Sequence, residues 1–477
     1  MNINSVFVDY MVNVPEIALL IGACIVLLAG AFLDAKSRWM YALSQIVLVF
    51  TFVLCLKPLS NETLYFFNDF YVIDDLAIFA KSVMCLFTIV VLHYSHAFVN
   101  ANNFPKGEYY SLVLFSLLGM LLISSATHLL MIYLGLELLS LSMYALVAMD
   151  RDNSKSSEAA IKYFVLGAIA SGFLLYGISL IYGLSGTLYI ADLSDGVQMQ
   201  ASIGFIAAVI FIVIGLAFKL GAVPFHMWLP DVYQGAPLSV TLLIASVPKI
   251  AGLLLALRLL MDGVQFMHVY WQQSLVVLAV LSLVVGNVVA IAQSNLRRML
   301  AYSTIGHVGY ILLGLIVGNA EGYSAALFYT VIYALMSSAV FGILLCCSKM
   351  NYSIEELSDL QGFSKSYPWL AFLMLLLMFS MAGIPMTVGF YAKLNILQAV
   401  IFSGQLVIAI IAVVSSVIGA FYYLRVIKLM YFDEAKEFQN VSMPAGQITV
   451  LSTHTLLVIA LFLFPQVLLD LCMQAFS

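Results

Sequence analysis

The sequence predicts an all-α membrane protein of about fourteen transmembrane helices. Three observations carry that expectation. The chain is 64% hydrophobic and only 9% charged, whereas a soluble chain carries roughly 25% charged residues. Apolar runs near the ~20 residues needed to cross a bilayer follow one another with short polar breaks. Basic residues collect in alternate loops. The net charge of −5 is thinly spread, with no basic stretch to suggest nucleic acid. The lipid bilayer is the expected partner, and nucleic acid is not.

The runs place spans near 15–34, 39–57, 75–98, 109–125, 127–149, 158–183, 201–233, 237–261, 272–293, 298–317, 323–348, 367–403, 405–431 and 447–471. The first has no basic segment ahead of it, so it reads as a retained helix and not as a cleaved signal. The seventh and twelfth exceed one crossing, and each contains a break. In KLGAVPF, Pro224 has no N–H and frees the carbonyl of Leu220, while Gly221 loosens the same turn. In MAGIPMTVGFYAK, Gly383, Pro385 and Gly389 act alike and free the carbonyl of Met381. Pro248, directly before Lys249, is expected to distort the eighth span. Irregular backbone at membrane depth is tolerated only where protein buries it or a wet cavity meets it.

Broken helices in both halves point to two inverted repeats of five helices. AAIKYFVLGAIASGF from Ala159 can be laid on AALFYTVIYALMSSA from Ala325, which sets Lys162 opposite Phe328 and Glu137 opposite Ser303. The expected organisation is helices 1–3 in residues 1–108, a first repeat (helices 4–8) in 109–265, a second (helices 9–13) in 266–431, and helix 14 in 432–477. One set of loops holds Lys36, Arg38, Lys106, Arg151, Lys155, Arg297, Arg298, Lys349, Lys365 and Lys436; the other holds Lys57 with Glu62, Asp192 and Asp195. The basic side is then cytoplasmic and both termini periplasmic.

Glu137, Lys162, Lys219, Lys249 and Lys393 fall inside the spans. An ionised lysine or aspartate at a bilayer centre costs about 2.5–3.5 kcal/mol on insertion scales. Titratable groups that meet this cost repeatedly suit a proton path, because each can hold and release a proton. Lys219 sits beside a helix break, and Glu137 is its natural partner. Lys249 has no acidic neighbour in sequence. Lys162 follows Glu158 by one helical turn; Glu158 reads equally as a proton-uptake residue or a solvated helix start. Lys393 lies too deep to snorkel. His307, in STIGHVGY, reads equally as a proton carrier or as a hydrogen-bonded structural residue. His226 is expected to hold the seventh-span break. Lys81 is expected to snorkel or to pair locally with Asp74 or Asp75. His93 and His96 are expected at the interface. The six cysteines show no metal-ligand spacing, and GxGxxG, P-loop and GxSxG motifs are absent. No cofactor is therefore expected in this chain.

At these residues the chain resembles the proton-antiporter-related membrane subunits of respiratory complex I. The carrying motifs are LGLELLSL, EAAIKYFVLGA, GLAFKLGAVPFHMWLPDVYQGAP, NLRRMLAYSTIGHVGY and MAGIPMTVGFYAKLNIL, spread over roughly residues 110–430. The resemblance implies that Glu137 is the fifth-helix carboxylate paired with Lys219. It makes Lys162 the sixth-helix lysine, Lys249 the central eighth-helix lysine and Lys393 the terminal twelfth-helix lysine. It implies a bacterial inner-membrane location beside antiporter-like neighbours and small membrane subunits. NADH, FMN, iron–sulfur clusters and quinone would be handled elsewhere in that complex. A subunit of a multi-subunit Na⁺/H⁺ antiporter would share the fold and the lysines. An inert membrane scaffold would not explain five separate intramembrane charges.

Overall fold

The computed structural model describes residues 13–32, 39–57, 59, 63–195, 202–348, 354–434 and 445–476. Lys36, Arg38, Glu62, Lys349 and Lys436, used above for orientation, lie outside the described residues, as does the side chain of Asp195. The expected spans appear as helices. The first six are Val14–Phe32, Trp39–Cys55, Asp75–Ala101, Lys106–Ser125, Leu129–Val147 and Ser154–Ser185. The seventh is split into Ile203–Leu220 and Trp228–Gly235. The eighth runs as Leu238–Ala245 and Val247–Ala256, then a π-helical turn, Leu257–Gly263. The ninth to eleventh are His268–Ile291, Leu296–Val317 and Ala320–Ser348. The twelfth is split into Pro368–Ala382 and Val388–Phe402, and Leu406–Tyr431 and Ala445–Leu463 follow. One feature departs from an all-helical chain. Between the second and third spans, β1 (Leu64–Phe66) and β2 (Tyr71–Ile73) form an antiparallel hairpin.

Local chemistry starts the helices where the chain turns. Asp74, Asn153, Ser202 and Asn295 each accept a hydrogen bond from a first-turn backbone N–H. That satisfies donors the helix itself leaves open. Burial then sorts the spans. The most apolar windows of Leu296–Val317 and Ala320–Ser348 are 94% and 100% buried, against 33% for Leu406–Tyr431, so the former are the centre of the bundle. The outer helices expose Ile25, Leu28, Val417 and Phe421, as a lipid-facing surface requires.

The two breaks are built alike. Gly221, at φ +85°, donates its N–H to the carbonyls of Ala217 and Phe218, and Ala222 N–H reaches back to Ala217. Gly383, at φ +83°, donates to Phe379 and Ser380, and Ile384 N–H reaches back to Phe379. A left-handed glycine closing the last turn is a common helix ending. Side chains meet the remaining backbone groups: Val223 N–H donates to Ser282 Oγ at 2.9 Å, and Gly389 N–H to Ser380 Oγ at 3.1 Å. The eighth span breaks at Ser246, and Pro248 opens its second half.

Candidate functional site

The half-helix Ile203–Leu220 ends on two lysines. Lys219 lies in its own last turn. Lys249, only 2% exposed, reaches in from the eighth span and donates from Nζ to the carbonyl of Leu220 at 2.8 Å. This is the carbonyl that Pro224 leaves without a partner. A helix C-terminus carries partial negative charge and favours a cation there. The same ammonium lies 5.7 Å from the centroid of the Trp228 ring, within cation–π range.

The second break repeats the arrangement. Lys393 Nζ donates to the carbonyl of Ala382 at 2.9 Å and to Ser416 Oγ at 2.9 Å, and sits 5.3 Å from the Tyr310 ring centroid. The carbonyl met is that of Ala382 and not of Met381, because Gly383 turns the last carbonyl toward Lys393. Lys249 and Lys393 thus occupy matching positions, each on the residue before a left-handed glycine.

His307 lies among buried hydroxyls. Its Nδ1 is 2.7 Å from the Tyr329 hydroxyl and its Nε2 is 3.0 Å from that of Tyr423. Tyr423 also makes a short hydrogen bond with Ser303, and Thr304 lies 2.8 Å from the Tyr333 hydroxyl. The Tyr310 ring beneath Lys393 stacks on Tyr329 at 5.5 Å. His307 is therefore hydrogen-bonded on both ring nitrogens, within one polar cluster that reaches to Lys393.

Glu137 and Lys219 are neighbours, but the expected direct pair is not formed. Lys219 Nζ donates instead to Ser140 Oγ at 3.0 Å, and Glu137 Oε1 is buried without a hydrogen-bond partner among the described residues. Lys162 meets Glu158, the neighbour one helical turn before it, and is partly exposed. Its side chain is 42% exposed and pairs with Glu158 at 2.6 Å and Asp231 at 2.8 Å. Asp231 also binds Arg298 at 2.6 Å. Lys162 thus belongs to an ion network at the end of the bundle that bears Arg298. His226 lies in the seventh-span break within hydrogen-bonding reach of the Pro224 backbone, while its Nδ1 has no hydrogen-bond partner among the described residues.

Two further charges, Glu16 and Arg258, went unread in sequence. Lys81 pairs with Glu16 at 2.5 Å and donates to the Tyr71 hydroxyl at 2.6 Å, not to Asp74 or Asp75. Asp74 is held by Arg258 through two hydrogen bonds of 2.7 and 2.8 Å. Arg258 also binds Asp262 at 2.9 Å and the Ser124 carbonyl. Arg258 and Asp262 are one helical turn apart, a signal present in the sequence; the Glu16–Lys81 approach had none. His93 and His96 each lie 3.1 Å from a tyrosine hydroxyl, Tyr41 and Tyr110. No cluster that could hold a metal ion is found among the described residues.

Two broken helices, each ended by a lysine, with a buried hydroxyl–imidazole cluster beside the second, define a polytopic membrane protein with titratable groups at its centre. The chain belongs to the family described as NADH:quinone oxidoreductase/Mrp antiporter, whose model matches residues 126–419. It is 50% identical over 473 residues, 98% of each chain, to NADH-quinone oxidoreductase subunit N of Thioalkalivibrio sulfidiphilus. Its fold matches a chain of respiratory complex I from Thermus thermophilus, with TM-score 0.80 and 30% identity over 96% of this chain and 98% of that one. It also matches a chain of the Mrp complex from Dietzia sp. DQ12-45-1b, with TM-score 0.84 and 20% identity over 97% and 96%. That last likeness shows the fold alone.

Proposed function

We propose that this chain is a proton-translocating membrane subunit of an NADH–quinone oxidoreductase. Electron transfer from NADH to quinone, with FMN and iron–sulfur clusters, belongs to other subunits in this reading. This chain takes protons through Glu137, Lys219, Lys249, His307 and Lys393, and Lys162 stands where protons reach the membrane surface. The reading rests on one observation above all. Among the described residues Lys249 and Lys393 are buried without a carboxylate partner, and each is held by a helix-end carbonyl and an aromatic face. A static structural charge would be paired at such depth. A neutral carbonyl can hold the ammonium and, through helix-end shifts, let its proton go.

The protein then sits in a bacterial inner membrane, basic loops in the cytoplasm and both termini in the periplasm. Antiporter-like and small membrane subunits flank it. The two inverted repeats, 109–265 and 266–431, place one broken helix in each half.

The test is replacement of Lys219 in the assembled complex. Lys219→Ala should lower NADH–quinone turnover and proton pumping together, by about tenfold or more. NADH oxidation by a hydrophilic artificial acceptor should stay near normal. Lys219→Arg keeps the charge but does not release a proton, and should fail likewise. Normal pumping in an assembled Lys219→Arg complex would make Lys219 structural. Purification in mild detergent separates the remaining reading: flavin- and cluster-binding subunits should accompany the chain, whereas a Na⁺/H⁺ antiporter would bring neither.

A further inference from the structure

Glu137, Ser140 and Tyr144 are spaced three and four residues apart, so they share one face of the fifth span. Lys219 faces them from the seventh span. The Ser140 hydroxyl donates its own hydrogen to the Leu136 carbonyl at 2.7 Å. Its oxygen is therefore left as an acceptor, and the Lys219 ammonium donates to it at 3.0 Å. One turn away, Glu137 Oε1 is buried with no hydrogen-bond partner among the described residues. A carboxylate oxygen in that state is an open seat for a cation.

The ammonium has a little room on its Ser140 side. A void of about 10 Å³ lies beside it, lined among others by Ser140, Tyr144, Gly167, Ser171 and Gly215, near the size of a single water. Glycines keep that wall thin. A Cβ on Gly167 would overlap the Tyr144 hydroxyl, and one on Gly215 would lie 2.8 Å from Leu174 Cβ. Residues three apart on a helix differ by about 4.5 Å along its axis, a span that a lysine side chain covers by rotamer change.

We infer that Ser140 is a positioning residue: it gives Lys219 a second resting place, one helical turn from Glu137, so that the lysine alternates between a carboxylate and a neutral oxygen. The inference rests on the proposed function. Beside Glu137 the ammonium is held against loss of its proton. Beside Ser140 only a neutral acceptor holds it, and the proton passes on more readily. Ser140 touches no substrate; it acts through Lys219.

The experiment uses the assembled complex in membranes. Ser140→Ala, Ser140→Cys and Ser140→Thr are compared with the wild type and Lys219→Ala, each checked for assembly by NADH oxidation with an artificial acceptor. Ser140→Thr, which keeps the acceptor, should behave as wild type. Ser140→Ala and the near-isosteric Ser140→Cys should lower quinone-coupled turnover about three- to tenfold. They should also move the pH optimum upward by about one unit, because a lysine confined to Glu137 holds its proton to higher pH. A density map of either variant should show Lys219 Nζ within ion-pair distance of Glu137. If both variants keep the wild-type rate and pH profile while Lys219→Ala loses activity, Ser140 is idle and the function stands. If assembled Lys219→Ala is itself fully active, the proposed function falls and takes the inference with it.

Discussion

Lys249 Nζ and the carbonyl oxygen of Leu220 are 2.8 Å apart, and that contact joins the eighth span to the open end of the seventh. It places a buried cation on a helix C-terminus, where the helix dipole and an unpaired carbonyl both favour it. Lys393 makes the matching contact with Ala382. Each broken helix is therefore completed by a side chain that can titrate.

The glycines of the two breaks should be intolerant of a side chain. Gly221→Ala would set a Cβ 2.5 Å from Leu229 Cδ1, and Gly383→Ala would set one 2.9 Å from Lys393 Cδ, both at positive φ. The left-handed conformation alone costs about 1–2 kcal/mol for a residue with a Cβ. Both variants should show lower thermal retention of the subunit in the complex. Gly404→Ala, also at φ +83° but in open space, should lose only the conformational term.

Lys162 should matter less to pumping than Lys249. Lys162 is 42% exposed and shares Asp231 with Arg298, so a second cation can stand in for it. Lys162→Ala should lower turnover within about threefold, and Lys249→Ala by about tenfold or more, the scale on which positioned acid–base groups contribute. Proton-pumping assays on assembled complexes compare the two directly. Equal losses would place Lys162 on the central path.

Asp74 should contribute stability that acid removes. Burial would raise its carboxyl, but Arg258 and the Ala77 N–H outweigh that and hold it below the ordinary carboxylate range. A group depressed in the folded state stabilises above its unfolded value, about 3.9, and loses that contribution as pH falls through its folded value. At pH 7, Asp74→Ala removes a helix cap and one partner of the buried Arg258. The cost should approach about 3–5 kcal/mol, the range for breaking a buried pair. Thermal melts of the two complexes should converge as pH drops below about 4.

Orientation is checked at Arg151, an exposed loop residue. In a cysteine-free background, Arg151→Cys should react with an impermeant maleimide only from the cytoplasmic side. Labelling of intact spheroplasts from outside would invert the topology.

The spans, the two breaks and most of the buried charges among the described residues were legible in the sequence, for a physical reason. Lipid demands long apolar runs, and within such runs each Lys, Glu, Gly or Pro stands out. The helical hydrogen-bond spacing named the Leu220 carbonyl that Lys249 meets, but at the second break it named Met381 where Lys393 meets Ala382. Tertiary structure alone decided what meets each freed group. Leu220 is capped from another span by Lys249, Lys219 rests on Ser140 and not on Glu137, and Lys81 turns from Asp74 and Asp75 to Glu16. These pairings join residues 29 to 79 positions apart. Spacing along one helix says which residues share a face; only the arrangement of helices says which faces meet. A 3.0 Å contact between a lysine and a serine, where a carboxylate stands one turn away, is decided by side-chain reach inside a filled bundle, which no periodicity encodes.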